Sequence, residues 1–165
     1  MSKLLKNNTA AHTAWIDLGD EGKTLYAAVD LVVPELGQQA SFSLATASGA
    51  ERVIVGIDEQ GRLRAELYKA TVTGPKLKSG GKHSLLIRIH SHREKPDELY
   101  LQLGSSEQIP AEPNGWMLSN IKGRSAADLS RVLFHNDTRD TGFKNVRVAP
   151  TYDALAEAKV LSNLK

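Results

Sequence analysis

The chain has 165 residues, 21 basic and 19 acidic side chains, a formal net charge of +2 and no cysteine. This length suits one domain with its own core, and the missing thiols exclude disulfides, thiolate metal sites and a cysteine nucleophile. The balanced charge gives no broad attraction for nucleic acid or anionic lipid. The sequence contains no run of about 18 apolar residues, the length that crosses a membrane. We therefore expect no nucleic-acid partner and no membrane insertion.

Residues 1–12 contain no apolar stretch of the kind found in signal peptides, and we expect them to be a flexible N-terminal segment. Short runs of alternating apolar and polar residues follow, a pattern typical of strands with one buried face. The first run ends at Pro34, because proline cannot donate to a strand ladder. The expected core positions are the apolar members of these runs, among them Val29, Leu31, Leu44, Val55, Ile87, Leu101 and Val148.

Turn residues and a helix signal complete the pattern. The segment Asp58–Gly61 is typical of a hairpin turn, and a change of phase near Lys144 and Asn145 indicates a bulge in the last strand. Thr151 is a suitable N-cap for a short helix or tail over residues 151–165. Because strands do not alternate with helices, residues 13–150 are predicted to form a two-sheet sandwich or a barrel.

Several strands resemble those of a known fold. The run Asn145–Ala149, followed by Thr151–Leu155, resembles the closing strand of concanavalin A-like or laminin-G-like jelly rolls in bacterial envelope and exported proteins. Tyr26–Leu31 is similar to their early strand, and Leu85–Ile89 with Glu98–Leu103 to their central hairpin. The resemblance implies an all-β, two-sheet antiparallel jelly-roll sandwich and an extracytoplasmic location: periplasmic, cell-surface or secreted. It transfers no functional residues, because the family shares no functional motif.

Some proteins of this fold hydrolyse glycosidic bonds, which in retaining enzymes needs two carboxyls about 5 Å apart. The Glu-x-Asp-x-x-Glu spacing of the resembling glucanases is absent, and most acids, Asp97 included, fall in turns where water should solvate them. Glu66 and Asp30 lie in strands and face away from the core, so a partner for Glu66 would come from another strand, with Asp30 or Glu98 as candidates. We expect no enzyme activity and no cofactor.

The aromatic residues are the first candidates for a binding site. Trp116 follows Pro113-Asn114-Gly115 in a long loop, where it could stack against a sugar ring or cap one end of the sandwich. Tyr68 and Tyr100 are the other candidates. A concave face lined by these three rings would favour sugar, and a flat apolar patch would favour protein.

Polar candidates lie between residues 136 and 140. Asn136 and Arg139 are predicted ligand contacts, and Asp137 and Asp140 could hold a structural calcium ion, since hard cations prefer oxygen ligands. The alternative for this segment is an ordinary turn stabilised by its own side chains.

The function expected from these observations is a non-catalytic binding module that recognises carbohydrate or another cell-envelope component. The alternative is a structural or protein-interaction domain of a larger envelope or signalling protein, with no small ligand.

Overall fold

The computed structural model describes residues 9–12, 23–92, 94–104, 109–123, 129–136 and 141–161. Within them the chain forms strands and one short helix, α1. In chain order the elements are β1 Thr9–His12, β2 Thr24–Val32, β3 Ala40–Thr46, β4 Glu51–Ile57, β5 Arg62–Leu67, β6 Ala70–Lys76, β7 Lys82–His90, β8 Asp97–Gly104, β9 Leu118–Gly123, β10 Leu129–Asn136, β11 Gly142–Ala149 and α1 Tyr152–Leu155.

The strands form two antiparallel sheets. One has six strands in the order β1-β10-β3-β4-β5-β6, and the other has five in the order β11-β2-β7-β8-β9. Consecutive strands pair from β3 to β6 in one sheet and from β7 to β9 in the other. The connections on both sides of β2, and those after β6, β9 and β10, pass from one sheet to the other. The predicted all-β, two-sheet antiparallel architecture with a short C-terminal helix is confirmed.

Alternation at period two places the core between the sheets. Phe42 of the six-stranded sheet and Phe143 of the five-stranded sheet meet there, with ring centroids 5.2 Å apart. Six of the seven expected core positions are at most 1% exposed, while Val148 is half-buried at the border of the core: Val29, Leu31, Leu44, Val55, Ile87 and Leu101.

Three strands lie where the sequence pattern gave no signal. β1 lies inside residues 1–12, which we expected to be a flexible N-terminal segment, and it pairs with β10. β6 contains Gly74 and Pro75, residues that disfavour the interior of a strand, and β9 follows a loop that contains Pro113, Asn114 and Gly115. β6 and β9 are edge strands, where a proline is tolerated because one side of the ladder needs no partner.

The C-terminal segment folds back on the five-stranded sheet. Thr151 caps α1 by accepting a hydrogen bond from the Ala154 amide at 3.3 Å, as predicted, and Leu155 is buried against that sheet's outer face. The expected bulge lies between Lys144 and Arg147. The Leu161 amide donates to the Val146 carbonyl at 2.7 Å and covers part of the β11 edge. In the described part of the chain, no helix has the length and apolar character needed to span a bilayer.

Candidate functional site

A groove of about 470 Å³ crosses the outer face of the six-stranded sheet. It runs over β10, β3, β4 and β5. Most of the residues that line it are polar, namely Gln39, Ser41, Glu51, Asp58, Arg64, Glu66, His135 and Asn136, and the others are Ala40, Ile54, Gly56 and Ile57. Outward-facing positions of an antiparallel sheet line up across the strands, so this lining follows from the register.

Two cross-strand rows form the groove. In the first row the register aligns His135, Ser41, Gly56 and Arg64. The buried Gly56 presents no side chain, and a Cβ there would lie 3.2 Å from the Ala40 carbonyl oxygen. Gly56 therefore keeps the middle of this row low.

The second row aligns Leu133, Ser43, Ile54 and Glu66. Ile54 is half-buried and provides the apolar surface between the polar side chains. The two rows together give a low, partly apolar floor with hydrogen-bonding groups on both sides.

The polar walls are held by short contacts between side chains. Arg64 Nη2 donates to Glu66 Oε2 at 2.8 Å, and both residues keep exposed surface, 52% and 22% of their side chains. On the other wall, Glu51 accepts the Ser43 hydroxyl and lies 3.2 Å from His135 Nε2. These charge-assisted bonds orient donors and acceptors before any ligand arrives.

The two walls together include Glu66, which the sequence analysis singled out, and Glu51, which it did not consider as a partner. The candidates suggested as partners for Glu66, namely Asp30 and Glu98, belong to β2 and β8 of the opposite sheet and cannot meet it. The expectation that water solvates Asp97 is also wrong. It is 7% exposed, because its carboxylate accepts the His92 amide at 2.8 Å instead of facing water.

The outer face of the five-stranded sheet is partly covered by other segments of the chain. The segment around Trp116 and helix α1 lie over it, and buried Leu86 and Ala28 are under them. Tyr26 donates to Glu112 at 2.6 Å and Tyr152 to the Pro110 carbonyl at 2.6 Å, which ties the segment down. Burial raises the pKa of the Tyr26 phenol, and the bond to Glu112 adds to this effect.

The predicted aromatic site residues fall on two different faces. Tyr100 and Trp116 meet on the five-stranded sheet with ring centroids 5.9 Å apart, and Arg88 lies 4.3 Å from the first ring and 5.0 Å from the second. Tyr68 lies on the six-stranded sheet, in the β5–β6 turn. The three rings therefore form no common concave surface, although each remains a predicted contact.

Of the four polar residues predicted for the site, one lies within the described residues. Asn136 lines the groove, and its side chain both donates to the Phe143 carbonyl at 3.1 Å and accepts the Phe143 amide at 3.3 Å. Asp137, Arg139 and Asp140 lie outside the described residues, so the calcium loop remains a prediction. Among the described residues no group of three or more histidine, aspartate or glutamate side chains is arranged to hold a metal ion.

No protein-family model matches the sequence, and a search of curated proteins gives no match. Solved structures match in fold. A tetrameric galectin from the ball sponge Cinachyrella has a TM-score of 0.53 at 9% identity, over 88% of this chain and 99% of that chain. A double mutant of congerin II has a TM-score of 0.53 at 13% identity, over 87% and 100%. CG-16, a homodimeric agglutinin from chicken liver, has a TM-score of 0.50 at 8% identity, over 87% and 100%.

Galectins have a concanavalin A-like jelly-roll sandwich. The similarity therefore confirms the expected fold, at an identity that concerns the fold alone.

Proposed function

We propose that this chain is a non-catalytic carbohydrate-binding module whose ligand lies in the groove of the six-stranded sheet. The observation that supports it most is the combination of a low floor at Gly56 and Ile54 with polar walls that carry Arg64, Glu66, Glu51 and His135. A sugar ring has hydroxyls on its rim and C–H surface on its faces. A small apolar floor between fixed donors and acceptors complements both parts.

The wall contacts explain how such a site would be preorganised. The Arg64 guanidinium carries several donors in a fixed plane, and its bond to Glu66 leaves donors and acceptors side by side. A ligand hydroxyl could donate to the carboxylate and accept from the guanidinium in the same place. Binding then costs little side-chain ordering, because the pair is already oriented.

The structural neighbours support the same ligand class. One solved structure of congerin II is liganded with lactose, and it has a TM-score of 0.50 at 13% identity. CG-16 is described as an agglutinin. Those statements concern the neighbours, and their bearing on this chain rests on the shared fold. The extracytoplasmic location and the bacterial envelope context stay part of the proposal.

The proposal is non-catalytic even though Glu51 and Glu66 both line the groove. Each carboxylate already accepts a hydrogen bond from a neighbouring side chain, which suits an acceptor for sugar hydroxyls. A screen over β- and α-linked glucans, galactans and xylans should give no turnover. Turnover by the wild type that Glu66→Gln loses would instead assign the groove to a glycoside hydrolase.

The direct test of binding is a glycan array followed by calorimetric titration of the best ligand. We expect Arg64→Ala to weaken binding at least about tenfold, the factor that one charge-assisted hydrogen bond of ordinary strength contributes. Arg62→Ala is the matched control, since Arg62 lies on the same strand, is exposed and does not line the groove. Equal affinity of both variants and the wild type would reject the groove as the site.

The alternative function, a protein-interaction domain, would need a contiguous exposed apolar surface. In the part of the chain that the structure describes, the large exposed apolar side chains are Leu36, Tyr68 and Met117, and they lie on three separate segments. Absence of any glycan binding in the array would favour this alternative over the carbohydrate-binding module.

A further inference from the structure

The outward row of β5 continues past the groove. Arg64 and Glu66 line the groove, and Tyr68 follows directly after the last residue of β5, as the first residue of the β5–β6 turn. The Tyr68 amide donates to the Arg52 carbonyl at 3.0 Å, which places Arg52 of β4 beside it. Arg52 and Tyr68 therefore form a third row, directly next to the row of Ile54 and Glu66.

This third row carries an open aromatic ring with two cations. Tyr68 is 43% exposed, the guanidinium carbon of Arg52 lies 5.1 Å from its ring centroid and Lys69 Nζ lies 5.6 Å from it. Such cation–π contacts hold the charges near the ring without neutralising them.

The acids nearby are engaged elsewhere. Glu66 pairs with Arg64, and Glu51 with Ser43 and His135. Within the described residues neither Arg52 nor Lys69 forms an ion pair with a carboxylate. The Nε atom of Arg52 is buried and makes no hydrogen bond there. The hairpin end of this face thus has two positive charges without acidic partners.

The backbone at the same place is unusual. Tyr68 and Lys69 form a two-residue turn with φ values of 38° and 71°, the left-handed region at both positions that type I′ turns require. Asn-Gly is the preferred pair for this turn, whereas tyrosine and lysine are strained in it. Strained residues concentrate at binding sites, and here the turn fixes the ring and the lysine at the end of the groove.

We propose that the row formed by Arg52, Tyr68 and Lys69 is a second subsite that binds the anionic group, carboxylate or sulfate, of an acidic saccharide. The inference rests on the proposed function, because the neutral part of the same ligand lies in the groove. Tyr68 contacts the C–H face of the acidic sugar, while Arg52 and Lys69 donate to its anionic oxygens.

The test compares neutral glycans with their acidic counterparts on one array, with lactose, sulfated lactose and sialylated lactose among the printed sets. The wild type should bind the acidic member of a set about tenfold more tightly than the neutral member, as one charge-assisted hydrogen bond provides. This preference should decrease with rising NaCl, because exposed charges are screened. Preference for both sulfate and carboxylate would show that charge is recognised, and preference for one would identify the group.

Variants separate the subsite from the groove. Lys69→Ala and Tyr68→Ala should abolish the preference and leave the affinity for the neutral glycan within about twofold of the wild type, while Tyr68→Phe should keep it, since the ring remains. Lys78→Ala removes an exposed lysine far from this row and should change nothing.

Neutral glycans that bind without any acidic preference, or a preference that survives both alanine variants, would overturn the subsite and leave the groove proposal standing. Failure of neutral and acidic glycans alike would overturn both proposals.

Discussion

His90 is the residue whose protonation the fold opposes most clearly. Burial lowers its pKa from the ordinary 6.5, and the nearby His92 lowers it further, with smaller contributions from Arg88 and Lys95 and an opposing one from Glu98. The two imidazole rings meet edge to face at 4.4 Å, and Thr24 Oγ1 lies 2.7 Å from His90 Nδ1. A positive charge on His90 would therefore be introduced where water is partly excluded and cations are close.

Glu98 shows the opposite preference on the neighbouring strand. Its hydrogen bond with His92, at 2.9 Å, lowers the pKa of the carboxyl below the ordinary 4.5. Its ionised form is therefore stabilised by folding.

These two shifts predict how stability depends on pH. Below about pH 6.5 the unfolded chain binds a proton at His90 that the folded chain resists, so acidification favours unfolding until the folded pKa is reached. Glu98 stabilises the fold above 4.5, and that contribution is lost as pH falls through its folded pKa. Urea unfolding midpoints should therefore decrease in two windows. His90→Gln should remove the upper window, and an unchanged upper window would contradict the assignment.

At the scale of single residues, the sequence predicted faces better than partners. Alternation placed Glu66 and Asp30 on the outward faces of their strands, as the structure has them. It could not show which sheet each strand joins, so Asp30 and Glu98 were considered as partners for Glu66, and Glu51 was missed. Gly56 was missed for a related reason, because the sequence does not show which residues of the adjacent strands lie beside it.

The β5–β6 hairpin is the element in which local strain is concentrated. Lys69 has φ of 71° and Tyr68 has φ of 38°. Lys69→Gly should stabilise the protein by about 0.5–1 kcal/mol, because glycine has no Cβ and adopts the left-handed region without strain. The strain that is relieved is larger than the extra backbone entropy that glycine loses on folding. Thermal unfolding of the variant measures the effect.

Gly61 supplies the matched comparison in the turn before β5. Its φ is 76°, and an added Cβ would meet nothing closer than 3.6 Å. Gly61→Ala should therefore destabilise through backbone strain alone, by about 1 kcal/mol. If the two variants changed stability in the same direction, strain would not explain the turn.

Strands with alternating patterns were predictable and edge strands were not. β2 to β5, β7 and β8 each bury the face that points into the core, so their core residues recur at period two. In β2 and β7 the outward-facing Ala28 and Leu86 are buried as well, under the C-terminal segment. β6 and β9 lie at sheet edges and pack over only part of their length, which weakens the periodic signal. The groove lies on interior strands, but its polar outward residues carry no pattern that distinguishes them from ordinary surface.

At the scale of the whole molecule, the two sheets close on one side where β9 approaches β5 and β6. Gly123 ends β9, and a Cβ at this position would overlap the backbone carbonyl of Leu67. The close approach brings the end of β5 against the opposite sheet, near the hairpin that holds Tyr68.

Gly123→Ala should therefore destabilise the fold by about 1–3 kcal/mol, the usual cost of forcing an atom into a packed contact. The backbone cannot move aside as a flexible side chain could. Gly115→Ala is the control, because an added Cβ there has open space around it, and it should be nearly neutral. Equal midpoints for both variants in chemical denaturation would contradict the tight closure.

The central claim is that carbohydrate binds on the six-stranded sheet. An NMR titration with the best array ligand tests it most directly, since amide shifts locate the ligand on one face. We predict that the amides of Ser41, Gly56 and Arg64 shift, while the Trp116 indole on the opposite sheet does not. Shifts confined to Trp116 and Tyr100, with unchanged groove amides, would contradict it.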